Sequence, residues 1–354
     1  MAYIQGALKS LGGTTDFCYM NFPSGWGTIH TSVTVTSACK LHYVVIGHSG
    51  SWSSWSGYRC SIFRDDGANW KHVGALTMMH TIPTANHDTS MANIVFKSSA
   101  GIDCQPGDII GFSFYLQSKL WYSGGSSLSH TGPVTRWIEA RVITDTAKAT
   151  WTAGTAPVAS GAWNIALFGI EAGSSNELRE VGYPIDITHT SIDPYSENRT
   201  SIASGASLVL PAVGDAKYID TALFVAYGAK LRYGTIRASI IRDDGTNYNI
   251  VGASPLYDHS FQGSYCNETY ACQFAAPGLS VLPGDMVSIF GGKSSTLMYN
   301  AAQEFRADKA GDVTANSAKA TWSARANNAQ PQIVIIGEYI APSGSSAGTR
   351  MMMG

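Results

Sequence analysis

Along most of the chain, apolar and polar residues alternate with a period of two in short runs, and clusters of Gly, Pro, Asp, Asn and Ser separate the runs. That pattern marks half-buried β-strands joined by tight turns. In the first half it predicts strands over Thr28–Ser37, Lys40–Gly47, Tyr58–Arg64, Asn69–Val73, Met91–Lys97, Asp108–Gln117, Thr135–Thr144 and Trp163–Glu171. In the second half it predicts Ser207–Pro211, Tyr218–Gly228, Ile236–Arg242, Asn247–Val251, Thr269–Phe274, Asp285–Gly291 and Gln332–Ile340. No sustained 3.6-residue periodicity argues for a helix. The longest apolar runs, Ile165–Ile170 and Ile333–Gly337, fall far short of the ~20 residues that span a bilayer.

The two strand sets are copies of one another. Residues 58–75 and 236–253 align without a gap and share 11 of 18 positions. Both contain Arg-Asp-Asp-Gly between two strand-like runs, and Asp-Gly supplies the positive-φ residue of a tight hairpin. Arg64 pairs with Arg242 at an offset of 178, and Phe96 with Phe274 at the same offset. The Pro-Gly-Asp of 106–108 pairs with 283–285 at an offset of 177, as does Leu120-Trp121-Tyr122 with Leu297-Met298-Tyr299. Ala-Lys-Ala-Thr-Trp occurs at 147–151 and 318–322, an offset of 171, so the second copy lacks loop residues around 123–134. The organisation expected is a first domain over 1–175, a second over 176–341 opened by an irregular arm to 206, and a Gly/Ser/Met tail over 342–354. About eight short strands per copy favour an all-β fold of two tandem, related jelly-roll-like β-sandwich domains.

Charge narrows the function classes. The net charge is −2 and only 14% of residues are charged. Nucleic-acid binding normally shows a basic patch, so no nucleic-acid partner is expected. The first residues lack a basic region followed by an apolar core, so neither a signal peptide nor a membrane span is expected. Of the six cysteines, Cys60 aligns with Ala238, Cys104 with Val281, Cys272 with Ile94 and, less securely, Cys39 with Ala216. Small or apolar partners mark these as buried thiols that behave as core residues, with a Cys266–Cys272 bridge as the alternative. Reduced thiols fit folding in a cytoplasm.

No catalytic constellation stands out. There is no HExxH and no phosphate-binding glycine loop, and Gly47-His48-Ser49-Gly50 lacks the spacing of a nucleophile elbow. No enzyme activity, metal or cofactor is expected. Asp65-Asp66 and Asp243-Asp244, with Asn69 and Asn247, carry oxygen ligands suited to calcium, yet one hairpin tip offers too few for a closed site. The remaining candidates are aromatic. His48–Tyr58 reads HSGSWSSWSGY and places Trp52, Trp55 and Tyr58 in a Ser/Gly setting where the second copy has a shorter segment. Trp121-Tyr122 precedes the loop that the second copy lacks, and Tyr257-Asp258-His259 follows its hairpin. Flat aromatic faces beside hydrogen-bonding groups suit glycan binding; packing and subunit contact are the competing roles.

The duplicated Arg-Asp-Asp-Gly hairpins, the repeated Pro-Gly-Asp strand openings and the Gly-Ser-Met tail together resemble tandem jelly-roll virion proteins of phages and other viruses. The resemblance implies a self-assembling surface protein of a virion: a tail fibre, spike, decoration or capsid subunit. It implies a homo-oligomer, a trimer among the options, contacts with other virion proteins, and attachment to host-surface glycan through the aromatic loops. A double jelly-roll major capsid protein is the first alternative. A carbohydrate-binding module or glycan-processing enzyme is the second. The tail's Met351, Met352 and Met353 form an apolar peg suited to a neighbouring subunit.

Overall fold

The computed structural model describes residues 1–10, 17–21, 27–52, 59–79, 87–114, 118–123, 129–130, 134–137, 145–150, 152–154, 161–185, 199–203, 208–231, 234–259, 266–292, 295–297, 299–300, 304–327 and 330–342. Among these there is no α-helix. Eight strands frame the first copy: β1 (Ala2–Gly6), β2 (Gly27–Thr34), β3 (Cys39–Trp52), β4 (Arg59–Asp65), β5 (Asn69–Met78), β6 (His87–Cys104), β7 (Ile109–Phe114) and β8 (Ile165–Glu171). Eight frame the second: β9 (Glu177–Gly182), β10 (Arg199–Ala203), β11 (Thr221–Leu231), β12 (Gly234–Asp243), β13 (Asn247–Ala253), β14 (Cys266–Gln273), β15 (Met286–Gly291) and β16 (Ile333–Tyr339).

Their antiparallel pairing gives layers β1-β8-β3-β6 and β5-β4-β7-β2 in the first copy, and β9-β16-β11-β14 and β13-β12-β15-β10 in the second. This is the jelly-roll order, twice. In the first copy β5 also pairs with β6 at Thr77–Lys97 and Met78–Phe96, which joins its two layers into one curled sheet. Short strands over Phe17–Asn21, Ser118–Ser123 and Gly161–Trp163 widen that sheet.

The copies agree down to their irregularities. The β4–β5 ladder slips between Ile62 and Phe63, and β12–β13 slips between the equivalent Ile240 and Ile241. The β3–β8 ladder slips at Leu41/Tyr43, and β11–β16 slips at Ala222/Phe224. Each of these second bulges needs a glycine opposite it. A Cβ on Gly169 would lie 2.4 Å from the Lys40 carbonyl oxygen, and one on Gly337 would lie 2.5 Å from that of Thr221.

These registers correct the sequence alignment in three places. Because Leu41 pairs with Gly169 and Ala222 with Gly337, Cys39 is equivalent to Asp220 and not to Ala216. Because Phe96 pairs with Val44 and Cys272 with Val225, Cys272 is the counterpart of Phe96, not of Ile94. The supposed irregular arm opens with β9, the counterpart of β1. Its Glu177, Arg179 and Glu180 hide the apolar alternation of a strand. The strand expected over Ser207–Pro211 is only an isolated bridge at Val209, and Arg199–Ala203 takes its place in the sheet.

The layers β1-β8-β3-β6 and β9-β16-β11-β14 pack on each other, so each is buried on both faces. Val44, Ile46, Ile94, Phe96, Ile165 and Leu167 face the core of the first copy. The residues between them, Tyr43, Val45, Val95, Ala166 and Phe168, join one continuous core with Phe224, Ala226, Val334 and Ile336 of the second. Burial on both faces removes the alternation, which is why these strands read as unbroken apolar runs. Phe168 and Phe224 stack with ring centroids 4.4 Å apart, and Tyr43 meets Phe224 edge-on at 5.8 Å.

Several polar groups at this junction find partners, while the Thr269 hydroxyl of β14 is buried without one among the described residues. Strand β14 is a sheet edge whose outward N–H groups need acceptors. The Ala271 N–H donates to Asn93 Oδ1 at 3.0 Å, and the Gln273 N–H donates to the Tyr257 hydroxyl at 3.2 Å. The Gln273 side chain accepts from the Leu8 N–H at 2.9 Å and donates to the Gly6 carbonyl at 3.2 Å, tying the segment after β1 to the second copy. Glu180 accepts from the Tyr43 hydroxyl at 2.6 Å and pairs with Lys97 at 2.8 Å.

Removing Phe224 would open a cavity in the core that both copies share. Phe224→Ala should lower the unfolding free energy by about 3–5 kcal/mol and split a single urea transition into two. A variant that keeps one transition at the parent midpoint would contradict a shared core.

Candidate functional site

The three sequence marks that align the copies meet in space. In the first copy the Arg64 guanidinium grips Asp108 of the Pro-Gly-Asp turn with two bonds, Nε to Oδ1 and Nη2 to Oδ2, both 2.8 Å. In the second, Arg242 grips Asp285 at 2.7 and 2.8 Å. Both carboxylates are buried, and each also caps its own turn, accepting from the Gln105 N–H at 2.7 Å and the Leu282 N–H at 2.8 Å. The bidentate fork is the strongest geometry available to this pair of side chains. It clamps the hairpin β4–β5, or β12–β13, to the turn that opens the neighbouring strand.

The Ala-Lys-Ala-Thr segments complete each network. Thr146–Ala147 pairs with β5 and Ser317–Ala318 pairs with β13; a single 3₁₀ turn follows each. That turn carries Lys148 onto Asp65, and Lys319 onto Asp243 at 2.6 Å. Lys148 also lies 4.6 Å over the Trp70 ring, and Lys319 lies 5.3 Å over the Tyr248 ring. The second acid of each tip serves the turn itself. Asp66 Oδ1 accepts from the Asn69 N–H at 2.6 Å, and Asp244 Oδ1 accepts from the Thr246 and Asn247 N–H groups at 2.9 and 2.6 Å.

The acidic tips are therefore structural. Their oxygen atoms are occupied by turn N–H groups and a lysine, and no cluster of three metal-ligating side chains occurs among the described residues. Each tip carboxyl is held below the ordinary Asp value. The Lys148 bond does this for Asp65, and the Asn69 N–H for Asp66. At Asp243 partial burial opposes the shift and is outweighed by Lys319 and the Gly245 N–H; at Asp244 the Asn249 amide leads.

The aromatic candidates fall in different settings. Trp52 ends β3 and pairs with His87, so part of the expected loop is strand. Trp121 and Tyr122 lie in Ser118–Ser123, which pairs with β3 through His48–Leu120 and Gly50–Ser118. On its other side Trp121 pairs with Tyr19, and Tyr122 pairs with Trp163. Trp55 and Tyr58 lie outside the described residues, as do Met351–Met353 of the tail. His259 closes a short strand paired with Gly234 of β12. Tyr257 is 3% exposed, within the shared core, and its hydroxyl caps the β14 edge. The sequence hid this because a Tyr that caps a buried edge looks the same as one in a surface loop.

Cys39, Cys60, Cys104 and Cys272 are free and buried, as expected of core thiols, and Cys266 and Cys272 lie six residues or about 20 Å apart along β14, beyond the reach of a disulfide. Among the described residues no helix is long and apolar enough to cross a membrane.

A groove of about 770 Å³ runs between one end of the first copy and the connection to β9. Lys40, His42, Arg64, Asp103, Glu171 and Glu177 line it, a mixture of charge with no net preference for anion or cation. Burial holds His42 below the usual histidine value. Its walls come from separate stretches of chain, so nothing local in the sequence signals it. Comparison with protein-family models and with curated proteins returns no match.

Two predictions separate the buried clamp from the exposed tip. Arg64→Ala leaves the Asp108 carboxylate buried without its cation, and should cost about 2–3 kcal/mol in chemical denaturation, below the ~3–5 kcal/mol of a fully buried pair because Arg64 is partly exposed. Lys148→Ala breaks an exposed pair and should cost less than about 1 kcal/mol. Equal costs would show that the clamp is no more than another surface pair.

The tips also set an acid limit. Carboxyls depressed on folding contribute stability that is complete above the unfolded value of about 3.9 and is lost as pH falls through the folded value. Thermal unfolding between pH 6 and pH 2 should therefore show a steeper acid decline for the parent than for Asp66→Asn/Asp244→Asn, which keeps the turn acceptors without the charge. Parallel curves would contradict the assignment.

Proposed function

We propose that this protein is a structural subunit of a virion surface, built to self-assemble, with its aromatic loops turned toward host glycan. The observation that supports the reading best is the face-to-face fusion of two jelly rolls through a shared core. Such a fusion makes one stiff block with eight framing strands on either side of a buried seam. The charged residues that recur in both copies go to clamping hairpins and turns, which serves rigidity rather than turnover. Rigid β blocks with variable loops between the strands suit assembly, where loops contact neighbours or ligands and the frame does not move.

Purified protein should sediment as a defined oligomer, and negative-stain micrographs should show fibres, spikes or shells. A monomer at all concentrations, retained on a polysaccharide column, would overturn the virion reading in favour of a carbohydrate-binding module. On a glycan array, Trp52→Ala/Trp55→Ala should lose binding at least tenfold while assembling as the parent does; unchanged binding would remove this loop from the ligand site.

A further inference from the structure

Cys39 and Cys104 are direct partners across the β3–β6 ladder. Each is the terminal residue of its strand's inner ladder, and they belong to the same core cluster, 2% and 4% exposed. Side chains directly opposite in an antiparallel pair project from the same face, with Cα atoms about 4.5–5.5 Å apart. That separation lies within the range of about 4.4–6.8 Å that a disulfide accepts. Cys39 is the strongest influence on the Cys104 thiol, in keeping with that adjacency. They lie at the end of the sandwich where the groove opens, and both contribute to its wall. Cys60 and Cys272 lack this position: Cys60 pairs with Leu76 and Phe112, and Cys272 pairs with Val225.

The jelly-roll frame does not require this pair. The equivalent residues of the second copy are Asp220 and Val281, which the same ladder carries side by side without a sulfur, joined by the Val281 N–H to the Asp220 carbonyl at 2.9 Å. The first copy has therefore placed two thiols in register where its twin has none.

We propose that Cys39 and Cys104 form a modification site: a cross-strand dithiol that closes to a disulfide when the protein meets a disulfide-rich, oxidising medium. The Cys39 thiol, deprotonated, attacks oxidised glutathione and releases one glutathione thiolate. The Cys104 thiolate then attacks the mixed disulfide at the Cys39 sulfur and releases the second. Two protein thiols are oxidised, one small disulfide is reduced to two thiols, and the two protons pass to the released glutathione. The neighbouring Cys39, with burial second, raises the Cys104 thiol well above its ordinary value, so closure is slow and needs the groove end to open. The link closes a loop of some 65 residues within the first copy and fastens the end of β3 to the end of β6. This inference is independent of the virion reading, since it rests on the ladder alone.

The test uses the full-length protein, incubated with oxidised glutathione or left in reductant, then alkylated in denaturant and mapped by peptide mass spectrometry. The expected result is a Cys39–Cys104 linked peptide that loses two hydrogens, with Cys60 and Cys272 still alkylated. The oxidised protein should melt about 5–10 °C higher, a rise that reductant reverses. Cys104→Val, which copies the residue of the second domain, should fold and melt like the reduced parent in both media. Cys39→Ala provides the same control if the valine variant misfolds. Recovery of Cys39 and Cys104 as alkylated thiols after oxidation, or linkage of either to a different cysteine, would overturn the proposal. So would an equal rise in melting temperature in Cys104→Val.

Discussion

The structure depends on one constraint: the central layer of each jelly roll must bury both of its faces. A lone sandwich buries one face of each sheet and leaves the other to water. Here Val44 and Ile46 point one way and Tyr43 and Val45 the other, and neither side is solvated. Each copy would expose a large apolar face if it stood alone, and such a face seeks a cover. The cover is the equivalent layer of its twin. The hydrogen bonds at the seam follow from that demand, because an edge strand brought into an apolar junction must find acceptors for its N–H groups. Asn93 and Tyr257 supply them.

The fold was largely legible in the sequence. Period-two patterning located most of the strands, and the Arg-Asp-Asp-Gly repeat aligned the copies, because hairpin tips depend on local chemistry that a short stretch carries in full. What was illegible depended on partners far away in the chain. Strand β9 hid behind Glu177, Arg179 and Glu180, whose polar heads suit an edge position against β16. The alignment slipped by two residues at Phe96 because a ladder register is fixed by the neighbouring strand, not by the residue itself. The apolar runs of β8 and β16 are too short for a bilayer, and their lack of alternation is itself the sign of burial on both faces.

The candidate sites divide in the same way. The acidic motif that occurs twice resolves into turn caps, lysine contacts and a buried arginine clamp, all of them framework. Sequence gave the residues of that clamp as three unrelated marks, and only the fold shows that Arg64, Asp108, Asp65 and Lys148 form one network. Composition and loop length mark the aromatic residues, and neither distinguishes a ring that greets a ligand from one that caps a strand, as Tyr257 does.

The meeting of Tyr43 with Phe224 has a further meaning. The registers make these two residues equivalent, so the copies touch through the same patch on each. That self-complementarity is the mark of a twofold homodimer, here carried on one chain. Its two halves associate within a single molecule, so the contact cannot dilute away. Freed from strict symmetry, each half can also change alone. One carries facing thiols and longer aromatic loops, while the other has the plainer frame.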